Sequence, residues 1–468
     1  MRKHPLWKFR GIFAAGTLLA FFCLFLTPWF PQVKDVLGWL PCLEAENAVA
    51  RLLAAAYGEA AGAAALAALA VLAPLLLLTL FFGRFYCSLL CPLGIWQDVC
   101  GTVHSRPTPN RPGGRWPRLA VFGVVFGMAF AGCAWGLMAG APYAVFGAGV
   151  AVPALLPLPF WTLAGCALPL LLITALALWR KRFFCAAVCP IGTLLSFFAR
   201  GSQKFWAVRI SPACVQCGRC AKVCPVDAIN PAARAVDNAS CVRCLACLNV
   251  CGRQAVRFGP PSETPAAAPD TATAPTPGVL NRREFLGTGA VTLLSLAAGA
   301  ARTQKSGDLI LPPGAGSLAE FSARCTRCHL CAASCPPQIL RPGAGRYGIP
   351  HLDLTRGFCP PECGRCSRVC PTGALVPLAA AAKRRWKIAA VEYTPADCLA
   401  FQDEKCGRCA QACAVGAMTM VTSPTGFVLP KLDKKKCLGC GACVHACPAT
   451  PKALAVIPIA KQVAIDIM

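Results

Sequence analysis

The sequence is poor in charged residues, and acidic side chains are especially scarce. Only 14% of its 468 residues are charged, and 20 Asp and Glu stand against 46 Lys and Arg, which gives a formal net charge of +26. Hydrophobic residues make up 56% of the chain and the mean hydropathy is +0.55. This balance excludes an ordinary soluble enzyme and predicts membrane-spanning segments. Because the basic residues are dispersed along the chain, they do not indicate nucleic-acid binding.

Motifs for common organic cofactors are also missing. Residues 287–289 begin like a dinucleotide-binding fingerprint, but no strand is predicted before them, and the sequence has no flavin or molybdenum motif. The stretch CTRCH at residues 325–329 matches the c-type haem attachment pattern, yet both cysteines belong to a longer cysteine motif and no second such site exists. Three histidines near cysteine motifs are interpreted as surface residues: His329, His351 and His445.

Cysteine, by contrast, is abundant, with 33 residues. Regular cysteine spacings in a long chain indicate metal binding rather than a disulfide framework. Residues 214–225 and 241–252 read CVQCGRCAKVCP and CVRCLACLNVCG, the C-x2-C-x2-C-x3-C pattern of bacterial ferredoxins. Three thiolates of one motif and the fourth of the other share a [4Fe–4S] cluster in this pattern. The expected sets are Cys214, Cys217 and Cys220 with Cys251, and Cys241, Cys244 and Cys247 with Cys224.

Four more cysteine motifs follow in the last third of the chain. They are Cys325, Cys328, Cys331, Cys335; Cys359, Cys363, Cys366, Cys370; Cys398, Cys406, Cys409, Cys413; and Cys437, Cys440, Cys443, Cys447. A short tail recurs after many fourth cysteines (CPVDAI, CGRQAV, CPTGAL, CAVGAM) and indicates repeated copies of one half-ferredoxin unit. The spacing leaves open whether neighbouring motifs pair or the outer two enclose the inner two. Six motifs predict six [4Fe–4S] clusters.

Four apolar runs precede these motifs, at residues 11–30, 64–82, 119–139 and 161–179. Each run is close to the roughly 20 residues that a membrane-spanning helix needs. Basic residues gather before the first run, between the second and third, and after the fourth, so both ends of the block are expected in the cytoplasm. The sequence therefore predicts an α-helical bundle of four spans, with α+β ferredoxin-type domains after it. The alternative is a set of buried core helices in a soluble protein.

One phrase occurs twice at the predicted cytoplasmic face: RFYCSLLCPLG at residues 84–94 and RFFCAAVCPIG at residues 182–192. Its repetition predicts a bundle of two pseudo-symmetric halves. Cysteines four apart lie on one face of a helix, and the proline after the second cysteine is expected to end or kink that helix. We expect the two pairs to form one redox site that holds a metal or cluster, with ligands Cys87, Cys91, Cys185 and Cys189.

Two other interpretations of this phrase remain open, namely reversible thiol–disulfide chemistry and plain helix packing. The arginine three residues before each first cysteine is expected to offset the negative charge of thiolates. Polar residues near the span ends, among them Gln97 and Asp98, are interpreted as solvated loop residues. No catalytic or quinone-binding residue stands out.

The middle of the chain changes composition. Residues 259–280 are rich in Pro, Ala and Thr and predict a disordered linker. NRREFLGTGAVTLLSLAAGAA follows, and Arg282 and Arg283 before its apolar stretch are typical of a twin-arginine export signal or a membrane anchor. The predicted domains are a membrane domain (1–200), a cytoplasmic two-cluster domain (205–258), the linker (259–280), the signal or anchor (281–304) and a periplasmic four-cluster domain (305–468).

These motifs resemble two known families. The first 255 residues resemble the NapH family of membrane ferredoxin-type proteins, through the four apolar runs, the two CxxxCP pairs and the dicluster tail. Residues 281–468 resemble the exported NapG/MauM family, through the twin arginines and the four cluster motifs. The whole chain thus resembles a fusion of the two.

The resemblance implies a membrane-bound iron–sulfur electron-transfer protein, a quinol dehydrogenase module that passes electrons to a periplasmic reductase such as nitrate reductase. It implies a multi-pass protein of the bacterial inner membrane, with membrane lipid, the quinone pool and a periplasmic redox protein as partners. The alternative is a maturation or accessory ferredoxin that reduces metal or thiol groups during assembly of another enzyme. A third interpretation is a cluster scaffold without a quinone site. A hydrocarbon core about 30 Å thick is too wide for one electron step, which favours a quinone in the path.

Overall fold

A computed structural model describes eleven continuous stretches of the chain and a few isolated positions. They are residues 4–25, 62–103, 115–130, 142–150, 160–261, 282–301, 309–325, 327–344, 349–402, 406–423 and 428–465, with positions 37, 45, 48, 49 and 52. The predicted linker lies outside the described residues from position 262 onward.

The N-terminal part is helical because its long runs of Leu, Ala and Phe contain few helix-breaking residues. Its helices are α1 Pro5–Phe25, α2 Gly62–Phe82, α3 Tyr86–Leu89, α4 Pro92–Val103, α5 Arg115–Phe130, α6 Pro142–Val150, α7 Phe160–Trp179, α8 Phe183–Ala187 and α9 Pro190–Ala199. The repeated phrase falls on α3–α4 and on α8–α9, and each copy follows a long helix in the sequence. The second short helix of each copy packs on the long helix of the other half, α4 on α7 and α9 on α2.

The four-span prediction is not confirmed by helix length. In the described residues, α1 is the one helix long and apolar enough to cross a membrane. Other helices contain shorter apolar stretches: Ala68–Phe82, Pro117–Phe130, Ala167–Trp179 and Leu286–Ala297.

Residues 207–259 form a small unit in which the order strand, helix, strand occurs twice. Its elements are β1 Ala207–Ile210, α10 Arg219–Lys222, β2 Ile229–Asn230, β3 Ala235–Val236, α11 Ala246–Val250 and β4 Val256–Gly259. β1 pairs with β4, and β2 pairs with β3, both antiparallel. The unit has its own buried cluster of apolar residues and cysteines.

Helix α12, Arg282–Ala301, covers the predicted signal or anchor segment and packs along α5. Two glycines of α5 permit this close approach. A Cβ at Gly123 would lie 2.7 Å from Thr292 Oγ1, and a Cβ at Gly127 would lie 2.8 Å from the Thr292 carbonyl. Contact through small residues is typical of helix pairs in membranes.

The C-terminal domain contains short helices and two-stranded antiparallel sheets. They are α13 Leu318–Arg324, α14 Leu330–Ala333, β5 Leu340–Ala344, β6 Ile349–Leu352, α15 Arg365–Arg368, α16 Ala380–Lys383, β7 Trp386–Lys387, β8 Ala390–Tyr393, α17 Arg408–Gln411, β9 Met418–Thr422, β10 Val428–Leu432, α18 Ala442–Ala446, β11 Leu454–Ile457 and β12 Val463–Ala464. The pairs are β5–β6, β7–β12, β8–β11 and β9–β10. The predicted α+β ferredoxin-type architecture is therefore present.

Candidate iron–sulfur and thiol sites

Cysteines from neighbouring motifs line common cavities. In each of four cavities, three cysteines of one motif meet the fourth cysteine of another. These sets are Cys241, Cys244, Cys247 with Cys224; Cys325, Cys328, Cys331 with Cys370; Cys398, Cys406, Cys409 with Cys447; and Cys437, Cys440, Cys443 with Cys413. The four cavities thus share the same three-plus-one lining of cysteines.

Electrostatic interaction joins the thiols of two further sets. Cys359, Cys363 and Cys366 interact with Cys335 and complete a three-plus-one set. Cys214 and Cys220 interact with Cys251, while Cys217 of the same motif is exposed. Neighbouring motifs therefore pair along the chain, first with second and third with fourth in the C-terminal domain. This decides the question that the spacing left open.

The motif loops turn their cysteines inward by a repeated backbone conformation. In four motifs, the residues on both sides of the second cysteine have positive φ: Gln216 and Gly218, Arg243 and Leu245, Arg327 and His329, Gly439 and Gly441. Positive φ is rare for side chains such as Leu and Arg, so the loop geometry imposes it. Alternating turns of this kind point backbone N–H groups at one anion site.

The two motifs with irregular spacing depart from this conformation. The residue after their second cysteine has negative φ, −115° at Gly364 and −149° at Gly407. Their longer first loops, of three and seven residues, therefore return the first cysteine to the set without a left-handed residue at that position.

The recurrent tail has a structural cause. The third residue after the fourth cysteine has positive φ in five motifs: Asp227, Gln254, Gln338, Gly373 and Gly416. This turn lets the next backbone N–H point back at the sulfur. Ala228 N–H donates to Cys224 Sγ at 3.3 Å, and Ala417 N–H donates to Cys413 Sγ at 3.2 Å. Such N–H···S bonds tune the reduction potential of a bound cluster.

The chemistry of these donor sets fits an iron–sulfur cluster. Burial raises the pKa of Cys224 to about 12 and that of Cys325 to about 11, so neutral thiols do not ionise alone at pH 7. Iron binding displaces those protons because the thiolate is the ligand. Within the described ranges, no three His, Cys, Asp or Glu side chains are arranged to hold a single metal ion. Four cysteine thiols around one cavity are the donor set that a [4Fe–4S] cluster uses.

The haem alternative does not fit this arrangement. Both cysteines of CTRCH line one cavity together with Cys331 and Cys370. His329 adopts φ 58° inside the motif loop, and burial followed by the charge of Arg327 lowers the pKa of this histidine to about 4. It is half-buried between two cluster-facing cysteines, so its interpretation as a surface residue was wrong.

The four cysteines of the repeated phrase are all buried. The thiols of Cys87, Cys185 and Cys189 interact electrostatically with one another. The predicted single helix through each pair is wrong. α3 ends before Cys91 and α8 ends before Cys189, and the following prolines begin α4 and α9 instead of ending a helix. The reason is that proline, which lacks an N–H, is well tolerated at the first helical position. Cys189 caps α9, its Sγ accepting the Gly192 N–H at 3.2 Å.

Two arginines cross-link the halves of this site. Arg84 Nη2 donates to the Cys185 carbonyl at 3.4 Å, and Arg182 Nη1 donates to the Cys87 carbonyl at 2.9 Å. Each arginine thus bonds to the first cysteine of the other phrase. The last glycine of each phrase leaves the space for this exchange: a Cβ at Gly192 would lie 2.4 Å from Arg84 Nη2. Both arginines are fully buried.

Sequence reasoning missed the polar side chains beside these thiols. Gln97, interpreted as solvated, is fully buried and donates from Nε2 to Cys185 Sγ at 3.3 Å. Asp98 accepts from Arg182 Nε and Nη2 at 2.6 and 2.7 Å, and from Arg10 Nη1 at 2.9 Å. Burial opposes its ionisation, but the two arginines lower the pKa of Asp98. Asp98 therefore positions the positively charged Arg182 beside the thiols.

The site also contains polar atoms without a partner. Gln97 Oε1 and Arg84 Nε are buried and lack a hydrogen bond to any described residue. Burial raises the pKa of Cys185 to about 11, although Arg182 and Arg84 oppose this effect. Since buried polar groups are normally satisfied, Arg84 Nε fits an anionic acceptor at this place, whereas Gln97 Oε1 requires a hydrogen-bond donor.

The two-cluster unit is bonded directly to the four-cysteine site. Ser88, next to Cys87, donates from Oγ to the Arg243 carbonyl at 3.3 Å, and Arg84 Nη1 donates to the Ser240 carbonyl at 3.3 Å. Residues 240–243 belong to the loop that carries Cys241 and Cys244. One loop therefore supplies cluster-facing cysteines and touches the repeated phrase.

Arg243 fastens this contact. It is 1% exposed, and its guanidinium donates to the Phe82 carbonyl at 2.9 Å, to Ser202 Oγ at 2.8 Å and to Asn238 Oδ1. Gly83, at φ +79°, makes room, because a Cβ there would lie 2.5 Å from Arg243 Nε. Arg180 pairs with Asp227 nearby. The interface is built from buried polar groups of both parts.

Several segments of the chain match models of known iron–sulfur domains. A 4Fe-4S dicluster domain model matches residues 404–450, and 4Fe-4S binding domain models match residues 209–230, 322–347 and 362–374. A further 4Fe-4S binding domain model matches twice, over residues 64–109 and 161–209, the segments that hold the repeated phrase. No solved structure matches the chain.

The ferredoxin-type protein NapF of Escherichia coli K12 is 33% identical over 150 residues, which are 32% of this chain and 86% of NapF. The chain belongs to the ferredoxin-type protein family that includes NapF. The methylamine utilization ferredoxin-type protein MauM of Methylophilus methylotrophus is 31% identical over 38% of this chain and 84% of MauM. NapG of E. coli K12 is 28% identical over 33% of this chain and 72% of NapG.

These relatives support the NapG/MauM part of the expected resemblance and an iron–sulfur electron-transfer function. The matches to 4Fe-4S binding domain models imply [4Fe–4S] clusters in this chain. NapF and NapG are ferredoxin-type proteins by name, and a redox partner protein is consistent with that kinship.

Proposed function

We propose that the chain is a membrane-bound electron conduit, which takes electrons from quinol and delivers them to a periplasmic redox protein, with a reductase such as nitrate reductase as the final acceptor. In this proposal the chain is a NapH-type membrane part fused to a NapG/MauM-type part. The direct bonding of the four-cysteine site to the Cys241–Cys244 loop carries the proposal. A buried thiol site bonded to the loop that carries cluster cysteines is placed to exchange electrons with that cluster.

Six [4Fe–4S] clusters are proposed at the six cysteine sets, and a further metal or cluster at Cys87, Cys91, Cys185 and Cys189. Bound clusters supply one-electron chemistry. The chain's own residues hold them by thiolate, offset their charge and exclude water. Arg84, Arg182 and Gln97 are the charge and hydrogen-bond partners of the four-cysteine site. The two matches over residues 64–109 and 161–209 support an iron–sulfur role for this repeat.

Four membrane spans with a fifth helix as anchor are also proposed, over residues 1–200 and 281–304. Large apolar side chains exposed on the long helices support this, because a soluble protein rarely exposes so large an apolar surface. They include Phe9, Ile12, Leu19, Leu66, Leu77, Leu78, Leu168, Leu171, Leu172, Leu286, Leu293 and Leu294. The close packing of α12 on α5 supports an uncut anchor. We also propose a two-cluster domain at 205–258 and a four-cluster domain at 305–468, because these ranges contain the ferredoxin-type helices and strands.

The iron content tests the cluster proposal. Six sets of four cysteines are expected to hold 24 irons, and any iron at the four-cysteine site adds to this number. Anaerobic iron and sulfide analysis of purified protein measures it, with electron paramagnetic resonance of the reduced form. A content near eight irons without cubane signals would contradict the proposal.

The arrangement across the membrane tests the conduit. A reporter fused after Met468 is expected to be periplasmic and one inserted at residue 270 cytoplasmic, because the positive-inside rule places the first block's ends in the cytoplasm and α12 crosses once. Lysine at both Arg282 and Arg283 is expected to retain the domain inside if the twin-arginine route exports it. A cytoplasmic reporter after Met468 in the unaltered chain would refute the arrangement. Detection of two fragments would indicate cleavage near Ala300.

A further inference from the structure

Residues 378–389 lie between two different cysteine sets. At its start, this segment packs closely against the loop of the second C-terminal motif. A Cβ at Gly364 would lie 2.2 Å from the Leu378 carbonyl, and Leu378 N–H donates to Ser367 Oγ at 3.0 Å. The segment is thus bonded to the loop that contains Cys363 and Cys366.

At its other end the same segment presses on the loop of the fourth motif. Ile388 N–H donates to the Leu438 carbonyl at 2.9 Å. A Cβ at Gly439, which has φ +71°, would lie 2.1 Å from the Ala389 carbonyl. The twelve residues therefore connect the loops of two cysteine sets that belong to different pairs of motifs.

Lys383 lies in the middle of this connection. It ends the short helix α16 and is 0% exposed, and its Nζ has no hydrogen-bond partner among the described residues. Removing a lone ammonium from water is strongly unfavourable unless an opposite charge lies close by. No carboxylate in the described ranges pairs with it. Anionic groups held by the cysteine sets on either side of this segment would supply the opposite charge.

The Lys383 charge acts on thiols of both sets. Burial raises the pKa of Cys359 to about 11 and also raises that of Cys440, and the Lys383 charge opposes both effects. Cys366 is affected in the same sense. A backbone hydrogen bond joins the two sets directly, from Cys359 N–H to the Cys440 carbonyl at 2.9 Å.

We propose that Lys383 is a buried charge shared by two cluster sites, the set of Cys335, Cys359, Cys363 and Cys366 and the set of Cys413, Cys437, Cys440 and Cys443. A [4Fe–4S] group held by four thiolates is anionic and becomes more so when it gains an electron. The ammonium stabilises the reduced form at both sites and therefore raises both reduction potentials. One charge thus acts on a cluster of each pair. The inference rests on the proposed clusters but requires neither quinol nor a membrane.

Lys383→Met removes the charge and keeps an unbranched side chain of similar length. Purified protein is titrated anaerobically with dithionite at controlled potentials, and the reduced clusters are followed by electron paramagnetic resonance. Two of the clusters are expected to become harder to reduce. At a fixed potential their reduced-to-oxidised ratio is expected to fall at least tenfold, which is 59 mV for a one-electron couple. Lys383→Arg keeps the charge and is expected to restore the original potentials.

Arg385→Gln is the matched control, because it removes the same charge two residues further along the chain, where the arginine is exposed to water. Equal shifts in the Met and control variants, or none in the Met variant, would overturn the proposal. If the Met variant instead loses eight irons from these two sites alone, the charge is needed to hold the clusters, which supports the proposal. Loss of all iron in both the Met and Arg variants would place Lys383 in the folding core and contradict it. Unaltered protein that lacks the clusters would contradict the proposed function instead.

Discussion

Serine at both Cys87 and Cys185 is expected to stop quinol-driven reduction of the clusters while 24 ferredoxin-type ligands remain intact. The two residues belong to different halves of one buried site, and each carbonyl accepts a hydrogen bond from the other half's arginine. Serine keeps the backbone and these bonds but is a poor ligand for iron. The effect is therefore confined to the redox site. We expect at least a hundredfold loss of rate, because no second route leads from the membrane helices to the Cys241–Cys244 loop in this account.

Cys100→Ser is the control for this experiment. Cys100 is also buried and lies on α4, but it is not part of the repeated phrase. It is expected to keep both the quinol-linked rate and the iron content. Full quinol-linked activity in the double variant would show that the four thiols serve only to pack the helices. A disulfide between the phrases in protein prepared without air would favour thiol–disulfide chemistry.

Replacing Arg243 with Met is expected to loosen the two-cluster unit from the helices. The guanidinium satisfies three buried acceptors, the Phe82 carbonyl, Ser202 Oγ and Asn238 Oδ1. Each acceptor left unpaired costs roughly 1–3 kcal/mol, so we expect the interface to lose about 3 kcal/mol or more. Hydrogen exchange over residues 200–261 in detergent-solubilised protein measures the opening of this region. Exchange is expected to speed up by about a hundredfold, as that free energy requires.

The matched control is Arg257→Met, which removes an exposed arginine from β4 of the same unit. Its exchange is expected to stay close to that of the unaltered protein. If the two variants exchange alike, Arg243 does not fasten the interface. If exchange rises in Arg243→Met but quinol-driven reduction of the clusters is unchanged, the contact is structural and electrons do not pass through this loop.

The cysteine chemistry of this chain is largely predictable from its sequence, because cluster ligands need a fixed local spacing. The partner expected for Cys224, the set of Cys241, Cys244 and Cys247, lines one cavity with it. Pairing in the C-terminal domain was not predictable, because it depends on which loops pack together. Leu378 packs against Gly364, which adjoins Cys363, and Ala389 packs against Gly439, which adjoins Cys440, although Leu378 and Ala389 lie outside the motifs.

Helix breaks and buried polar residues were the main errors. Proline after the second cysteine suggested a helix end, whereas Pro92 and Pro190 start the next helix. Gln97 and Asp98 lie near predicted span ends, where polar residues are usually solvated, and only the folded chain shows that they face thiols and arginines. Arg243 carried no signal beyond its place inside a cysteine motif. Lys383 likewise gave no sign of burial, because it begins the run KRR, in which Arg384 and Arg385 are exposed.

Reduction of the C-terminal clusters by a quinol is the measurement that tests the central claim most directly. Purified protein in sealed liposomes is given duroquinol without air, and reduced-cluster signals are followed by electron paramagnetic resonance, with dithionite defining full reduction. The account predicts that quinol reduces clusters of the C-terminal domain, and that Cys87→Ser with Cys185→Ser abolishes this while dithionite still reduces them. Clusters that dithionite reduces but quinol leaves oxidised in the unaltered protein would contradict the conduit and favour a maturation ferredoxin or a scaffold.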